Sequence, residues 1–389
     1  MVTTITILKN KAGIIGGALC VLFFSSCLKE GAEVETYYYG DADEKVLDAY
    51  LTLPKAPYDY NFTLPTHTAL FAPPVDNDMA TLGRVLFYDK NLSSDKKISC
   101  ASCHKQELAF SDNTDLSTGV AEKRTSRNSI ALGSVLNFSA YYGEFGGIPF
   151  FWDNRAFRVQ DQSRATLGNP SEMNMQMHQV KDVVNKLPYY KPLAKAAFSK
   201  ESLSEEEILN AIGAFVNSLT NYHTKFDREL DKTGIQFIRT NFNGFTAAEN
   251  RGKTIYLNRC AICHGENAGR PPKIMANNGL DMDYKDKGVG GASNNAFENA
   301  KFKVPTLRNI LRTSPYMHDG RFATMEDVLN HYSAGIKNHP NLDSELKLGG
   351  VPMKMNFSAQ DNADLIAFLN TLSDEQITTD KKFSDPFIK

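Results

Sequence analysis

The sequence predicts a mainly α-helical protein with two domains. A Cys-x-x-Cys-His segment occurs twice, at 100–104 and at 260–264, and the two copies lie far enough apart to belong to separate domains. Strand signals are few, whereas amphipathic helix patterns recur between long segments rich in Gly, Pro and Asn. With 389 residues, of which 42% are hydrophobic, the chain can bury two cores.

The N-terminus is typical of an export signal. Lys9 and Lys11 precede an apolar run from Ala12 to Phe24, which is shorter than the roughly 20 residues of a membrane-spanning helix. Small residues before Cys27 resemble a bacterial lipobox, in which the cysteine becomes the lipidated first residue of the mature chain. An ordinary signal with an incidental cysteine is the alternative. We expect lipidation, which would anchor the protein to a membrane surface facing the periplasm or the cell exterior.

Composition narrows the function classes. The net charge is −2, so nothing supports a nucleic-acid partner. Of six cysteines, Cys20 lies in the signal, Cys27 is the expected lipid site, and four belong to the repeated motif. No cysteine is therefore left for a disulfide framework.

Capping patterns predict where the clearest helices begin. A helix at 203–221 begins at a capping box formed by Ser204 and Glu207 and carries an apolar stripe. Two further helices are expected to begin at Thr246, leading to the second motif, and near Ser358.

The repeated motif predicts covalent haem attachment. Both thiols can add to haem vinyl groups, and the following histidine can bind the iron on one face. A thioredoxin-type redox pair or half of a zinc site would require the histidine to follow by accident twice. We therefore expect two c-type haems, held by Cys100, Cys103 and His104 and by Cys260, Cys263 and His264.

Several further segments, in matching order and spacing, carry a family resemblance. They are Leu82–Asp89, Leu92–Ser94, Arg127–Ser129, Phe151–Ala156, Lys303–Asn309 and Ser314–Gly320. Together with the haem motifs they resemble the bacterial dihaem cytochrome c peroxidase family, which includes the MauG-type enzymes. The resemblance implies a mainly α fold with two cytochrome c-like haem domains packed around an interdomain site. The implied division is a lipoprotein signal peptide at 1–26, a polar tether at 27–60, an N-terminal peroxidatic haem domain at 61–235 and a C-terminal electron-transfer haem domain at 236–389.

The resemblance assigns peroxide chemistry to the haem held by His104. Glu172 stands where the family has a glutamate that moves a proton between the peroxide oxygens, and Gln162 where MauG-type pockets have a glutamine. Trp152, the only tryptophan, matches the electron relay between the haems. Outside this resemblance, Glu172 would be read as a solvated loop residue and Trp152 as a core aromatic.

The first iron is expected to keep an open position. Classical members hold a distal histidine on the loop after the first motif, but residues 105–151 contain no histidine and no methionine. We therefore expect a five-coordinate iron that needs no reductive activation.

The sequence leaves several candidates for the ligand on the second haem iron opposite His264. Tyr332 follows His318 at the spacing where MauG-type proteins have a tyrosine and classical peroxidases a methionine. A helix beginning at Thr324 would place Tyr332 on an apolar stripe, with His331 about 100° away. The alternatives are Met353, Met355 and His331.

A calcium ion between the domains is also implied. Asn128, Thr313 and Pro315 match its ligand positions, and oxygen donors of this kind suit calcium. The alternative is that these three are ordinary turn residues that bind no ion.

The sequence thus predicts a dihaem peroxidase that reduces hydrogen peroxide to water with electrons from a donor such as a small cytochrome c. One rival is a MauG-type enzyme that oxidises a partner protein or an organic substrate. The other is a non-catalytic electron-transfer cytochrome. Whether the protein forms a homodimer is left open.

Overall fold

The computed structural model describes residues 39–68, 74–133, 149–268 and 271–389. The predicted signal peptide and Cys27 lie outside these residues. None of the helices in the described part of the chain is both long and apolar enough to cross a membrane.

The described chain is mainly helical, as predicted. Two short antiparallel pairs supply its strands: β1 (Met275–Ala276) with β2 (Phe302–Lys303), and β3 (Lys347–Leu348) with β4 (Val351–Pro352). The helices are α1 (Asp41–Asp48), α2 (Asn77–Tyr88), α3 (Cys100–Cys103), α4 (Val159–Gly168), α5 (Met177–Val184), α6 (Tyr190–Phe198), α7 (Glu205–Ser218), α8 (Lys225–Thr233), α9 (Ala247–Arg259), α10 (Ala261–His264), α11 (Val289–Ser293), α12 (Met325–Asn330), α13 (Ala359–Asn370) and α14 (Gln376–Thr379).

Each haem motif follows a helix that crosses another helix at a glycine. In the first half, α2 packs on α7, and a Cβ at Gly83 would collide with the backbone oxygen of Ala211. In the second half, α9 packs on α13, and a Cβ at Gly252 would collide with the backbone oxygen of Asp364. The same close crossing therefore holds both motifs in place, in two separate apolar cores.

The predicted capping residues begin the observed helices. Ser204 and Glu207 form the capping box of α7, and Thr246 and Glu249 that of α9. Ser358 is the N-cap of α13. The boundaries differ from the predicted ones by a few residues, because the ends of the apolar stripes do not specify where the backbone turns away.

The two ends of the described chain pack on the first core. Residues 39–60, assigned by sequence to a polar tether, form α1 and bury Leu47, Leu51 and Tyr60. Phe383 returns from the C-terminus to the same core. In the other direction, α8 contributes Phe226 to the second core, so the two cores do not divide at the predicted boundary between 235 and 236.

Candidate haem sites

The first motif opens onto a cavity in the first half of the molecule. Helix α3 places Cys100, Cys103 and His104 on its wall, and neither thiol is in a disulfide. The His104 Nδ1 lies 2.9 Å from the carbonyl oxygen of Phe110, which fixes the tautomer that leaves Nε2 free for a metal. Burial lowers the pKa of His104, so the ring is neutral, as a ligand must be. These residues fit a covalently held haem.

Ser129 adds a second contact to this histidine. Its Oγ lies 3.3 Å from the His104 Nδ1 and donates a 2.8 Å hydrogen bond to the carbonyl oxygen of Cys103. Ser129 belongs to one of the family segments, but its sequence position indicates no role, because only the fold brings it next to the motif.

Glu172 and Gln162 line the same cavity as His104. The Asn169 amide donates a 2.5 Å hydrogen bond to Glu172 Oε1, and Gln162 Nε2 donates a 3.0 Å bond to the Thr166 hydroxyl. Burial raises the pKa of Glu172 above its ordinary value. The structure therefore places a buried carboxyl group with a raised pKa at the cavity that holds the first motif.

The second motif opens onto a larger, mainly apolar cavity. Cys260, Cys263 and His264 line it, and the two thiols are again free of disulfides. The His264 Nδ1 lies 3.0 Å from the carbonyl oxygen of Pro305, which again leaves Nε2 available. Burial lowers the pKa of His264. Two free thiols and a neutral histidine with an available Nε2 therefore fit a covalently held haem at this site as well.

Tyr332 lies in the wall of the second cavity, together with Met325, Val328 and Leu329 of the predicted stripe. The chain leaves α12 through a π-helical turn, His331–Gly335, a distortion frequent at functional sites. The Tyr332 hydroxyl accepts a long, 3.4 Å hydrogen bond from the Asn278 amide. Burial raises the pKa of Tyr332 to about 12, so its phenolate form requires a cation beside it.

The other candidate ligands of the second haem iron differ from Tyr332 in their contacts. His331 Nε2 is 2.9 Å from the carbonyl oxygen of Asn278, so this ring is directed to the backbone. Met355 lines the cavity, whereas Met353 is not part of the lining. Met317, to which the sequence pattern assigns no role, also lines the cavity, and its sulfur accepts a 3.4 Å hydrogen bond from the Asn278 amide.

Trp152 stands on the wall of the second cavity and is hydrogen-bonded to the segment that contacts His104. Its Nε1 donates a 2.9 Å hydrogen bond to the carbonyl oxygen of Asn128, the residue before Ser129. Arg127 pairs with Asp153 at 2.6 Å and with Asp286 at 2.7 Å. The indole is therefore fixed between the first motif and the second half of the chain.

The three expected calcium ligands, Asn128, Thr313 and Pro315, line the second cavity. The Asn128 amide nitrogen donates to the carbonyl oxygens of Thr114 and Asp115 at 3.0 and 3.1 Å. In the part of the chain that the structure describes, no group of three His, Cys, Asp or Glu side chains is placed to hold a metal ion. Calcium therefore stays a prediction that rests on neutral oxygen donors.

Comparisons with known families match both halves of the chain. Residues 77–234 match the model of the di-haem cytochrome c peroxidase family, and residues 249–373 match that of cytochrome c. Both haem motifs lie within these matched ranges.

Two curated relatives carry different names. The methylamine utilization protein MauG of Methylorubrum extorquens is 30% identical over 312 residues, which cover 78% of this chain and 80% of the relative. The cytochrome c551 peroxidase of Nitrosomonas europaea is 29% identical over 309 residues, covering 78% and 82%.

Solved structures share the fold. A MauG-like protein associated with microbial copper homeostasis has a TM-score of 0.71 and 31% identity, covering 84% of this chain and 99% of that one. The diheme peroxidase BthA of Burkholderia thailandensis has a TM-score of 0.59 and 19% identity, covering 86% and 98%.

Proposed function

This chain belongs to the di-haem cytochrome c peroxidase family, which includes MauG, and we propose that it reduces hydrogen peroxide to water. The electrons come from an external donor such as a small cytochrome c. The observation that carries this proposal is the cavity shared by Glu172, Gln162 and the His104 motif. An electron carrier needs no proton-exchanging group at its iron, whereas a peroxidase does.

Glu172 performs the proton transfer. When bound, the haem would supply the electrons that cleave the O–O bond of peroxide. Glu172 takes a proton from peroxide and gives it to the departing oxygen. Asn169 holds the carboxyl group, and Gln162 lines the same cavity. The raised pKa of Glu172 brings the group nearer to the pH at which it must both take and give a proton.

Trp152 connects the two sites in this proposal. Its hydrogen bond to Asn128 and the contact of Ser129 with His104 form a bonded route from the indole to the first ligand. Its position in the wall of the second cavity brings it next to the site of His264.

The test is peroxide turnover by Glu172→Gln in the dihaem protein, with reduced cytochrome c as donor. Loss of the proton shuttle should lower kcat by about 10²–10⁴-fold. Glu201→Gln, at an exposed glutamate of the same half, is the matched control and should retain full turnover. Unchanged turnover by Glu172→Gln would remove this residue from the mechanism.

A second candidate function, MauG-type oxidation of a partner protein or an organic substrate, is favoured by the position of Tyr332 in the second cavity. A phenolate ligand would stabilise oxidised iron and lower that haem's reduction potential, which suits storage of oxidising equivalents. Tyr332→Met should raise the potential of the second haem and leave the first unchanged. An unchanged potential would exclude Tyr332 as a ligand and favour Met355 or Met317.

We also propose export, with lipidation at Cys27. Intact mass of the membrane fraction should show an acylated N-terminal cysteine, and Cys27→Ala should release the protein from that fraction. Unchanged fractionation of Cys27→Ala would contradict the anchor.

A further inference from the structure

Three tyrosines form a stack that runs from the first core to the surface. Tyr190 and Tyr189 are each 2% exposed, and their ring centroids lie 4.7 Å apart. The Tyr189 ring lies 5.2 Å from that of Tyr50, which is 44% exposed. The rings are therefore in contact along the whole stack.

Both buried phenols share one proton acceptor. Asp89, at the C-terminal end of α2, is 1% exposed, and its Oδ2 accepts hydrogen bonds from Tyr190 at 2.7 Å and from Tyr189 at 2.8 Å. Its Oδ1 is occupied by the backbone and side-chain amides of Asn91. A phenol loses an electron readily only when its proton can leave at the same time, and Asp89 lies within transfer distance of both.

The inner end of the stack lies near the first haem motif. Tyr190 belongs to the core against which Cys100 packs. Burial and the nearby Asp89 raise the pKa of Tyr190 well above its ordinary value. The resting phenol is therefore protonated, and it lies in the core that packs on the first haem motif.

We propose that Tyr190, Tyr189 and Tyr50 form a relay that carries oxidising equivalents from the first haem site to a small reductant at the surface. The relay rests on the proposed function, since a peroxide-oxidised haem is the oxidant. None of these tyrosines takes part in the route through Trp152, so the relay is a second outlet.

Each step balances. Tyr190 gives one electron to the oxidised haem site and its phenolic proton to Asp89, which leaves a neutral tyrosyl radical. Tyr189 reduces this radical by one electron, while Asp89 returns a proton to Tyr190 and takes the proton of Tyr189. Tyr50 then reduces Tyr189, which regains its proton from Asp89, and releases its own proton to water. The reductant gives one electron to Tyr50, which recovers a proton from water.

The charge around the exposed end selects the reductant. Helix α1, just before Tyr50, carries Asp41, Asp43, Glu44 and Asp48 against Lys45, and Lys195 of α6 pairs with Asp43 at 3.5 Å, so acidic groups remain in excess there. This negative surface attracts cations and repels anions. We therefore assign the relay to cationic or neutral phenols and aromatic amines.

The first test detects the radical by electron paramagnetic resonance of the dihaem protein, frozen within milliseconds of adding peroxide. We expect a tyrosyl signal that is lost in Tyr190→Phe. Tyr60→Phe, at a buried tyrosine of the same core that does not bond to Asp89, is the matched control and should keep the signal. A signal that persists in Tyr190→Phe, or no tyrosyl signal from wild type while its haem spectrum responds to peroxide, would overturn the relay. A haem spectrum that does not respond at all would instead refute the proposed function.

The second test uses the exposed end, where substitution does not threaten folding. The probes are tyramine, a cationic phenol, and 4-hydroxyphenylacetate, its anionic counterpart. We expect faster peroxide-dependent oxidation of tyramine, and loss of that difference in Tyr50→Phe with cytochrome c oxidation unchanged. Equal rates for the two phenols in wild type, or an unaltered preference in Tyr50→Phe, would contradict the surface end of the relay.

Discussion

In the proposed mechanism, the chemistry of the first site depends on the protonation of Glu172. Burial raises the pKa of Glu172, and only its ionised form can accept the proton of peroxide. Turnover should therefore rise with pH through a midpoint above the ordinary glutamate value of about 4.3. The pH profile of kcat/KM checks this, and the rise should disappear from the residual activity of Glu172→Gln. A midpoint at or below the ordinary value would contradict the burial argument.

The contact of Ser129 with His104 should set the electron density on the first iron. The Ser129 hydroxyl is a second acceptor, beside the Phe110 carbonyl, for the Nδ1 proton of His104. Such a contact makes the imidazole a stronger electron donor to the iron, which stabilises the oxidised state. Ser129→Val should raise the reduction potential of the first haem relative to Ser129→Thr, which has the same shape and keeps the hydroxyl. The second haem, whose His264 contacts Pro305, should not change. Equal potentials in the two variants would show that the contact has no electronic effect.

At the scale of elements, the two helix crossings are the tightest packing around the haem motifs. Gly83→Ala or Gly252→Ala would push a methyl group into the facing backbone and should cost about 1–3 kcal/mol of unfolding free energy. Denaturant unfolding of the haem-loaded protein measures this. Gly168→Ala in α4 is the control, since its added methyl would meet only Gln176 at an ordinary 3.6 Å. Equal stability of all three variants would show that the crossings can relax.

Local patterns in the sequence predicted the elements well. The capping boxes at Ser204 and Thr246 begin the helices that they predicted, because a cap and its partner are three residues apart. Tyr332 lines the cavity together with Met325, Val328 and Leu329 of its predicted stripe, although it lies in the π-helical turn after α12.

Contacts between distant segments could not be predicted in this way. Asn278 reaches Tyr332 across the second cavity, and Tyr50 stacks on Tyr189 from a segment predicted to be a free tether. Nothing in the spacing of either pair indicates contact, since the approach depends on the path of the intervening chain. The core positions of Leu51 and Tyr60 likewise follow from the fold and not from their polar surroundings in sequence.

At the scale of the molecule, a buried ion pair joins α8 to the loop after β2. Arg308 is fully buried and binds both oxygens of Asp227 at 2.7 Å, and His67 contacts the same carboxyl group at 3.3 Å. Burial alone would raise the pKa of Asp227, but the Arg308 guanidinium holds it well below its ordinary value. The pair's stabilisation is therefore complete above the ordinary aspartate pKa of about 3.9 and is lost as pH falls below it.

Thermal unfolding between about pH 4 and pH 2 should accordingly show a loss of stability, which Asp227→Asn should flatten. At neutral pH that substitution leaves Arg308 buried without its partner and should cost about 3–5 kcal/mol. Asp48→Asn, at an exposed carboxylate of α1, is the control and should keep the acid dependence. If the stability of Asp227→Asn falls with pH as that of the wild type does, other carboxylates are responsible for the loss of stability in acid.

The central claim is that peroxide reacts at an open first site served by Glu172, without activation by the second. The direct test is stopped-flow spectroscopy of the fully oxidised dihaem protein mixed with hydrogen peroxide and no reductant. We predict an immediate haem spectral change, with a rate proportional to peroxide concentration, that Glu172→Gln slows by about 10²-fold or more. A protein that stays unreactive until one haem has been reduced would contradict the account.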